Sequence, residues 1–431
     1  MTDNQILKQY IVWVTGYVIL FISVYALMYW FGFVNAIPVD KTLLNWDAVF
    51  YEGIKKSGYT YYQGKECTSG FFPLFPYLWA LSNLGPFGIS ILNGFIYIFS
   101  LVFLAKLLKP NFIELGLFMS LPFMFFMFTP FSEALFFLFG TMLLYGIVNE
   151  DKKFIFIGLF GASLTRACFL FLVPALVGMM LMSTNKKELL KKNLWVYQLK
   201  WFILPIFLGV IVIGIIQYIQ TGVFFAYYEI QSNAWHRSFQ LPTFPMGRNT
   251  DIWIVRLSYI NFWVGIIASI IGLKYLYYWL AGYKNIEMPT KIELLAIIYI
   301  VMSFISIVFF NPKWYWTPTN YNATYLNGIN RYIQANPFML VFMIFLFRKQ
   351  KSLFVLFGLF LMTHLVWFLL TPDYIFHIQN YLKILISIGI LALYWFYWYS
   401  KSSFIGIPLI LLSFCLSSIM FNYYMIGVQV D

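Results

Sequence analysis

Long apolar stretches recur along the chain, and they restrict its possible folds more than any other feature. Runs of about 20 apolar residues extend from the start of the chain to its end, and each could cross a hydrocarbon core of about 30 Å as an α-helix. Only 10% of the 431 residues are charged, against about 25% in an ordinary soluble domain. The chain therefore has too few charged residues to form the surface of a water-soluble protein. The sequence predicts an all-α polytopic membrane protein that forms a single integral membrane domain over residues 1–431.

The cysteines and the net charge exclude several other classes of protein. Cys67, Cys168 and Cys415 are too scattered for a disulfide framework or a zinc motif. The formal net charge is +12, yet the lysines fall in short loops between apolar runs, as membrane orientation requires. The first apolar run, from Gln9, lacks a small-residue cleavage site and is expected to be retained as a helix. We therefore expect no nucleic-acid partner, no bound metal and no cofactor.

The basic loops predict how the chain is oriented in the membrane. The segments 150–153, 186–200 and 348–351 are rich in lysine or arginine, and such loops remain on the cytoplasmic side. The long loops then lie outside: 33–86, 221–256 and 312–335. The predicted spans are roughly 9–32, 87–108, 113–131, 133–149, 154–182, 201–220, 257–280, 292–311, 336–347, 353–371, 379–399 and 404–425.

The apolar run 154–182 is long for one crossing, and a single crossing there would break the alternation that the lysines require. We therefore expect it to fold back near Ser163 to Arg166. This gives about 13 transmembrane or re-entrant helices, with the N-terminus inside and the C-terminus outside.

The arginines are distributed differently from the lysines. Only Arg348 is predicted to be cytoplasmic, and Arg166 lies within a span, whereas the others lie in or beside outer loops: Arg237, Arg248, Arg256 and Arg331. A guanidinium suits bidentate binding of phosphate, so the outer face looks suited to an anion. The alternative is that an A/T-rich genome favours lysine and that the outer arginines are incidental ion-pair partners.

The stretch NWDAVFYEGIKKSGY (45–59) puts a carboxylate shortly after the first membrane exit. Asp47 is flanked by Trp46 and Tyr51, which are typical interface residues. A partly desolvated carboxylate at that level suits the task of a general base. Alternatively, Asn45 or Asp47 only caps the helix that follows.

Two further outer features have both a functional and a structural interpretation. The segment SGFFPLFPYLWAL (69–81) is too short to span; it either packs over the bundle or forms an interfacial platform where a polyprenyl lipid enters. Glu133 lies at a tight outer turn, where an ionisable group indicates a site. We favour helix capping or pairing with Arg166 over direct catalysis for Glu133.

Two later loops carry groups that could bind a sugar phosphate. Trp235 could stack on a sugar face and Arg237 could hold a phosphate, and His236 lies between them. Support for a zinc site is weak because the other histidines, His364 and His377, are distant in sequence. Arg331 lies where the outer loop 312–335 meets a short span, and a charge at that depth needs a partner or a ligand.

These segments together resemble the second GPI mannosyltransferase family (PIG-V) and its bacterial relatives. Residues 45–59 with FFPLFP (71–76) are similar to the family's WDA..Y..I...GY...FFPL.P pattern. The other motifs follow in the family's order: SEALFF (132–137), GASLTR (161–166), AWHRSFQLP (234–242) and NRYIQANPF (330–338). The resemblance covers most of residues 40–340. The chain differs from the eukaryotic members in length and loops, so the resemblance does not identify GPI as the acceptor.

The resemblance implies a GT-C glycosyltransferase, a multispanning enzyme with helical outer loops that inverts the anomeric centre. The donor would be a polyprenyl-phosphate sugar, usually mannose, and the acceptor a glycan or glycolipid reached among membrane lipids. The active site would face outward from a bacterial inner membrane. A catalytic module would occupy about 1–255 with a contribution from 312–335, and we assign no chemistry to the C-terminal helices of 353–431.

The family pattern and the chemistry together assign roles to individual residues. Asp47 would be the catalytic base, with Arg331 first and Arg237 second for the donor phosphate. The predicted substrate-binding residues are Trp46, Tyr51, Trp235, His236 and Tyr332. The predicted supporting residues are Asn45, Glu133 and Arg166. No metal is required, because a cation from the protein can balance the leaving phosphate.

Three other functions are also compatible with the sequence. A transporter or lipid-linked glycan flippase also has many spans, although no inverted repeat is visible and the polar residues gather at one face. An outer-face polysaccharide polymerase or ligase would use lipid diphosphate oligosaccharides instead. A purely structural membrane protein leaves the placement of Asp47 and the arginines unexplained.

Overall fold

The computed structural model describes residues 2–167, 169–184, 186–242, 252–283, 286–310, 326, 328–349, 389–390 and 392–430, with only the backbone at 169, 252–253 and 255–256. These residues are largely helical and include no β-strand, as the predicted all-α class requires. The helices are α1 (Asp3–Trp30), α2 (Asp40–Leu43), α3 (Asp47–Ser57), α4 (Leu74–Ser82), α5 (Pro86–Leu108), α6 (Phe112–Met119), α7 (Glu133–Val148), α8 (Lys152–Thr165), α9 (Phe169–Ser183), α10 (Lys192–Gln198), α11 (Leu204–Thr221), α12 (Ala226–Glu229), α13 (Ile252–Ala281), α14 (Lys291–Phe310), α15 (Ile329–Gln334), α16 (Pro337–Lys349) and α17 (Ser403–Met425).

Six helical segments of the described chain are long and apolar enough to cross a membrane. They are Asp3–Trp30, Pro86–Leu108, Lys192–Thr221, Leu257–Ala281, Lys291–Phe310 and Ser403–Met425. Each overlaps a predicted span, and the third joins α10 to α11 through a π-helical turn. The protein is therefore a helical membrane protein. The predicted total of about 13 transmembrane or re-entrant helices includes shorter segments, and these six helices of the described chain do not confirm it.

The predicted break within 154–182 is confirmed. α8 ends at Thr165, Arg166 has extended backbone angles, and α9 begins at Phe169. α8 packs closely against α7, since a Cβ on Gly158 would lie 2.6 Å from the backbone nitrogen of Leu143. This helix pair brings the start of α7 beside the end of α8.

The predicted single span over 113–131 is wrong. The helix there, α6, has only 8 residues, and a short 3₁₀ turn (Met124–Phe128) follows it. Pro122 explains the break, because it lacks a backbone N–H and disfavours the helical conformation of the residue before it. The Gln334 side chain accepts a hydrogen bond from the Phe123 backbone N–H at 3.2 Å. This interior bond allows an irregular backbone, which lipid would not tolerate.

Other predicted segments have mixed outcomes. The segment 69–81 forms the 9-residue helix α4, too short to span as expected. The predicted spans 336–347 and 404–425 correspond to α16 and α17. The predicted span 353–371 and most of 379–399 lie outside the described residues.

Polar contacts divide the described loops into two groups at the two ends of the bundle. One end, the lysine end, is joined by Lys106–Asp3 (3.2 Å), Arg348–Glu114 (2.8 Å), Lys291–Glu150 (3.5 Å) and Lys349–Glu293 (3.1 Å). The other, the site end, is joined by Arg331–Asp47 (2.8 Å), Gln217 to the Ser69 carbonyl (2.9 Å) and Asn45 to the Tyr424 carbonyl (3.0 Å). In all of these pairs the two partners were predicted on the same side of the membrane. The assignment of the lysine end to the cytoplasm is a prediction from its charge.

Candidate active site

A cavity of about 250 Å³ opens at the site end. Its wall is built from segments far apart in sequence: the start of α3, the loop at 66–72, the α8–α9 connection, the 227–237 segment, the start of α15 and Gln429. Both acidic and basic side chains reach this wall, and aromatic rings form much of the rest. Asp47 and Arg331, the predicted base and first phosphate-binding residue, therefore line the same cavity.

Four charged side chains form a continuous chain of ion pairs, three of them at this wall and the fourth, Glu133, buried behind it. Asp47 Oδ2 lies 2.8 Å from Arg331 Nη2, Arg331 Nε pairs with Glu133 Oε1, and Arg166 Nη1 donates to the same Glu133 oxygen at 2.6 Å. We call Asp47, Arg331, Glu133 and Arg166 the charge cluster. Two carboxylates and two guanidinium groups give it a formal charge of zero.

Access to the charge cluster differs strongly among its members. The Asp47 side chain is 30% exposed, whereas Arg331, Arg166 and Glu133 are 7%, 5% and 0% exposed. Burying paired charges contributes little net stability, and ionisable groups in a membrane bundle usually mark a site. Asp47 is therefore the most exposed member of the charge cluster, while Arg331 and Arg166 also line the cavity with little exposed surface.

A tight turn before α3 places Asp47 at the cavity. Trp46 has φ 53° and ψ −127°, and it lines the cavity with Asp47. Asn45 supports the turn by donating to the carbonyls of Thr42 (2.8 Å) and Tyr424 (3.0 Å). No side chain caps the start of α3, so the alternative role of Asn45 or Asp47 as an N-cap is wrong.

The predicted pairing of Glu133 with Arg166 is confirmed by their 2.6 Å contact. It follows from the α7–α8 pair, because Glu133 begins α7 and Arg166 follows the last residue of α8. The Arg166 guanidinium lies 4.8 Å from the Tyr332 ring centroid, and that of Arg331 lies 4.9 Å from Phe131. Aromatic faces favour a cation at these distances.

Aromatic residues form another part of the wall. Trp235 lines the cavity and meets Phe71 edge to face at 5.6 Å. Its ring fits because residue 70 is glycine: a Cβ there would lie 2.7 Å from Trp235 Cζ3. Tyr51 also lines the cavity, and its hydroxyl lies 3.0 Å from Ser132 Oγ. Burial raises the pKa of Tyr51, with nearby carboxylates adding to the effect, so its phenol stays neutral.

The segment 235–237 is only partly at the cavity. Arg237 belongs to the wall but is exposed, with its guanidinium 6.0 Å from the Trp235 ring centroid. His236 is exposed, has φ 49°, and is not among the lining residues. The structure thus brings Trp235 and Tyr332 to the cavity but leaves the predicted substrate-binding residue His236 outside its wall.

Several wall residues were missed by the sequence analysis: Glu66, Thr165, Tyr227, Gln231 and Gln429. Glu66 could have been identified, since it is an acidic residue in a predicted outer loop. Gln429 gave no signal, because it follows α17 in a region to which no chemistry was assigned. The C-terminal segment therefore contributes to the cavity, contrary to that assignment.

Two glutamines near the end of α11 tie the loops around the cavity together. Gln217 donates to the Ser69 carbonyl at 2.9 Å and accepts from the Tyr227 N–H at 3.1 Å. Gln220 accepts from the Tyr59 N–H at 2.6 Å. The Tyr61 hydroxyl also donates to Glu229, and this bond is the main cause of the raised pKa of Tyr61. Loops 58–72 and 225–237 are thus held as one rim.

Within the described part of the chain, no group of three metal-ligating side chains occurs. His364, His377, Cys168 and Arg248 lie outside the described residues, as does the side chain of Arg256. The carboxylates of the charge cluster are engaged by guanidinium groups.

The fold and the site define a helical membrane protein with a buried charge cluster beside a cavity at one end of its bundle. No protein-family model, curated protein or solved structure matches the chain.

Proposed function

We propose that this chain is an inverting glycosyltransferase of the GT-C type. It moves a single sugar, for which the family resemblance favours mannose, from a polyprenyl-phosphate donor to a glycan or glycolipid acceptor. The observation that carries the proposal is the Asp47–Arg331 ion pair at the cavity wall. Inverting transfer from a lipid phosphate needs a carboxylate to accept a proton and a cation to hold the phosphate, and this pair supplies both.

The chemistry of the transfer fits the two groups. The acceptor hydroxyl oxygen attacks C1 of the sugar as Asp47 takes its proton, and the C1–O bond to the phosphate breaks with inversion. The electron pair leaves on the phosphate, whose charge rises from −1 to −2. Arg331 balances the added charge through charge-assisted hydrogen bonds. Protonation of Asp47 also removes a negative charge from the neighbourhood of the phosphate, so Arg331 stabilises the phosphate most strongly as its negative charge increases.

The remaining wall suits a sugar. Trp235, Trp46 and Tyr332 offer aromatic faces for stacking, and the neutral Tyr51 phenol can donate a hydrogen bond. We further propose that the site end faces outward from a bacterial cytoplasmic membrane, where the short apolar helix α4 would lie at the lipid interface. The lysine-rich loops at the other end of the bundle favour this orientation.

The first test compares the wild type with Asp47→Asn, which keeps the shape of the side chain and removes the base. Transfer from polyprenyl-phosphate mannose should fall by about 10²–10⁴-fold, the usual contribution of a general base. Arg331→Lys should also lower transfer, because lysine cannot bind phosphate through two parallel hydrogen bonds. A loss smaller than about tenfold in Asp47→Asn, about 1.4 kcal/mol, would exclude Asp47 as the base.

The acceptor can be identified by mass spectrometry of surface glycans from a strain that lacks this gene. We expect the glycans to lack one hexose, which the wild-type gene restores and Asp47→Asn does not. Unchanged glycans, or transfer only from lipid diphosphate donors, would contradict the proposal and favour a transporter or a polymerase.

A further inference from the structure

Glu133 binds two arginines through a single carboxylate oxygen. Its Oε1 accepts from Arg166 Nη1 at 2.6 Å and pairs with Arg331 Nε. The two arginines come from the end of α8 and from α15, and the Glu133 side chain has no exposed surface. A carboxylate shared in this way fixes the two guanidinium groups side by side.

Both guanidinium groups are also fixed from a second direction. Arg166 lies over the Tyr332 ring and Arg331 over the Phe131 ring, at 4.8 and 4.9 Å from the ring centroids. Both arginines line the cavity. Anion sites need donors whose positions are set before the ligand arrives, and this pair meets that requirement. Arg237, by contrast, is exposed and has no such support from a carboxylate in the described contacts.

We propose that Arg166 and Arg331 together form the phosphate-binding site, with Glu133 as the positioning residue that holds them. The inference rests on the proposed function and gives Arg166, rather than Arg237, the second place at the donor phosphate. Arg166, Arg331 and Glu133 carry a joint charge of +1. This charge matches the single negative charge of a polyprenyl-phosphate sugar, which replaces Asp47 as the second anionic partner of Arg331.

Displacement of Asp47 has a consequence for the base. In the structure Asp47 Oδ2 is 2.8 Å from Arg331 Nη2, so a phosphate drawn to Arg331 competes directly with the carboxylate. Arg166 supplies the additional attraction that allows the phosphate to displace Asp47 from Arg331. Binding of the donor then leaves Asp47 without its cation and ready to accept a proton from the acceptor.

The test measures binding rather than transfer. The probe is undecaprenyl phosphate, and undecaprenol is its uncharged counterpart, each titrated against the purified full-length protein in detergent. Arg166→Lys keeps the charge and removes the planar donor fork; it should weaken phosphate binding about tenfold or more and leave undecaprenol binding unchanged. The matched control is Arg348→Lys, which alters an arginine paired with the buried Glu114 (2.8 Å) at the lysine end and should bind both probes as the wild type does.

Variants at Glu133 separate positioning from simple electrostatics. If Glu133 acted only through its negative charge, Glu133→Gln would remove that charge and bind the phosphate more tightly. A positioning role predicts weaker binding, with partial rescue in Glu133→Asp. Because an unbalanced buried charge can prevent folding, the charge-matched double variant Arg166→Gln with Glu133→Gln is included. It should fold, as judged by its thermal midpoint, and bind the phosphate weakly.

Each outcome has a distinct meaning. If the wild type binds undecaprenyl phosphate no better than undecaprenol, the donor class in the proposed function is wrong. If the wild type prefers the phosphate and all the folded Arg166 variants retain that preference, the paired site is wrong while the donor class stands. If Arg237→Gln loses the preference and Arg166→Lys does not, the second phosphate group is Arg237 and the inference is overturned.

Discussion

At the scale of single residues, the two carboxylates of the charge cluster differ in how exposed they are. Asp47 and Glu133 are both carboxylates paired with Arg331, but 30% of the Asp47 side chain is exposed and none of the Glu133 side chain. A group that exchanges protons with a substrate must be reachable, whereas a group that fixes its neighbours works best when enclosed. Their different exposure therefore supports the different roles proposed for the two carboxylates.

Gly70 should control the width of the cavity beside Trp235. A methyl group on Gly70 would overlap Trp235, so Gly70→Ala should push the ring toward the cavity. We expect kcat/KM for transfer to fall about tenfold or more, since a misplaced contact of about 1 Å can lower rates by up to 10²-fold. Gly16→Ala is the matched control, because a Cβ there meets no atom within 4 Å.

A double variant tests the cause. Trp235→Phe has a smaller ring, so Gly70→Ala should do little further harm when added to it, since residues in contact are not additive. If the two losses simply multiply, the ring overlap is not the reason for the Gly70→Ala defect.

The residue pairs differ in how far the sequence could predict them. Glu133–Arg166 followed from topology, because alternating spans put both residues at the same outer level. The link from Arg331 to Asp47 was expected from the family resemblance and from the chemistry of a phosphate site. His236 shows the limit of such reasoning. Adjacency to Trp235 suggested a shared pocket, but His236 has a left-handed backbone and is not part of the wall, although Trp235 and Arg237 on either side of it are. Neighbouring residues in an irregular segment need not face the same way.

At the scale of secondary structure, hydropathy predicted apolar segments well and their geometry less well. The break between α8 and α9 was predictable because charge alternation requires it. The failure at 113–131 arose because a buried irregular segment is as apolar as a lipid-facing helix, and both give the same hydropathy. Pro122 was the available signal. Only the packing around it, including the Gln334 contact to Phe123, determines that the chain turns there.

The end of α11 supports a prediction about the rim of the cavity. Gln217 is fully buried and satisfies the Ser69 carbonyl and the Tyr227 N–H. Gln217→Leu removes both hydrogen bonds, and a buried polar group that loses its bond costs about 1–3 kcal/mol. We expect a lower thermal midpoint and faster hydrogen exchange in loops 58–72 and 225–237.

Gln198 provides the comparison for this variant. It is also buried on the same continuous helix, but its side-chain oxygen accepts no hydrogen bond from the described residues. Gln198→Leu should leave the exchange of both loops unchanged. Equal effects of the two substitutions would mean that the rim does not depend on the Gln217 bonds.

At the scale of the whole molecule, charge separates the two ends of the bundle. Lysines join the loops at the lysine end, whereas the site end uses arginine for the charge cluster. The sequence predicted this division, because lysine-rich loops orient the chain while buried anion sites favour the guanidinium fork. It could not predict that Gln429 reaches the cavity, because a polar residue after the last helix has no periodicity or motif that links it to α3.

The orientation of the two ends can be measured by cysteine labelling. Gln63→Cys adds a thiol to an exposed position in the rim loop, and Lys192→Cys adds one to an exposed position at the lysine end. A membrane-impermeant maleimide should label Gln63→Cys in intact spheroplasts and Lys192→Cys only after lysis. The wild type sets the background from its three native cysteines. Of the two that the structure describes, Cys67 is buried and Cys415 partly buried. Labelling in the opposite order would put the charge cluster on the cytoplasmic side, where a donor bound from the outer leaflet could not reach Asp47.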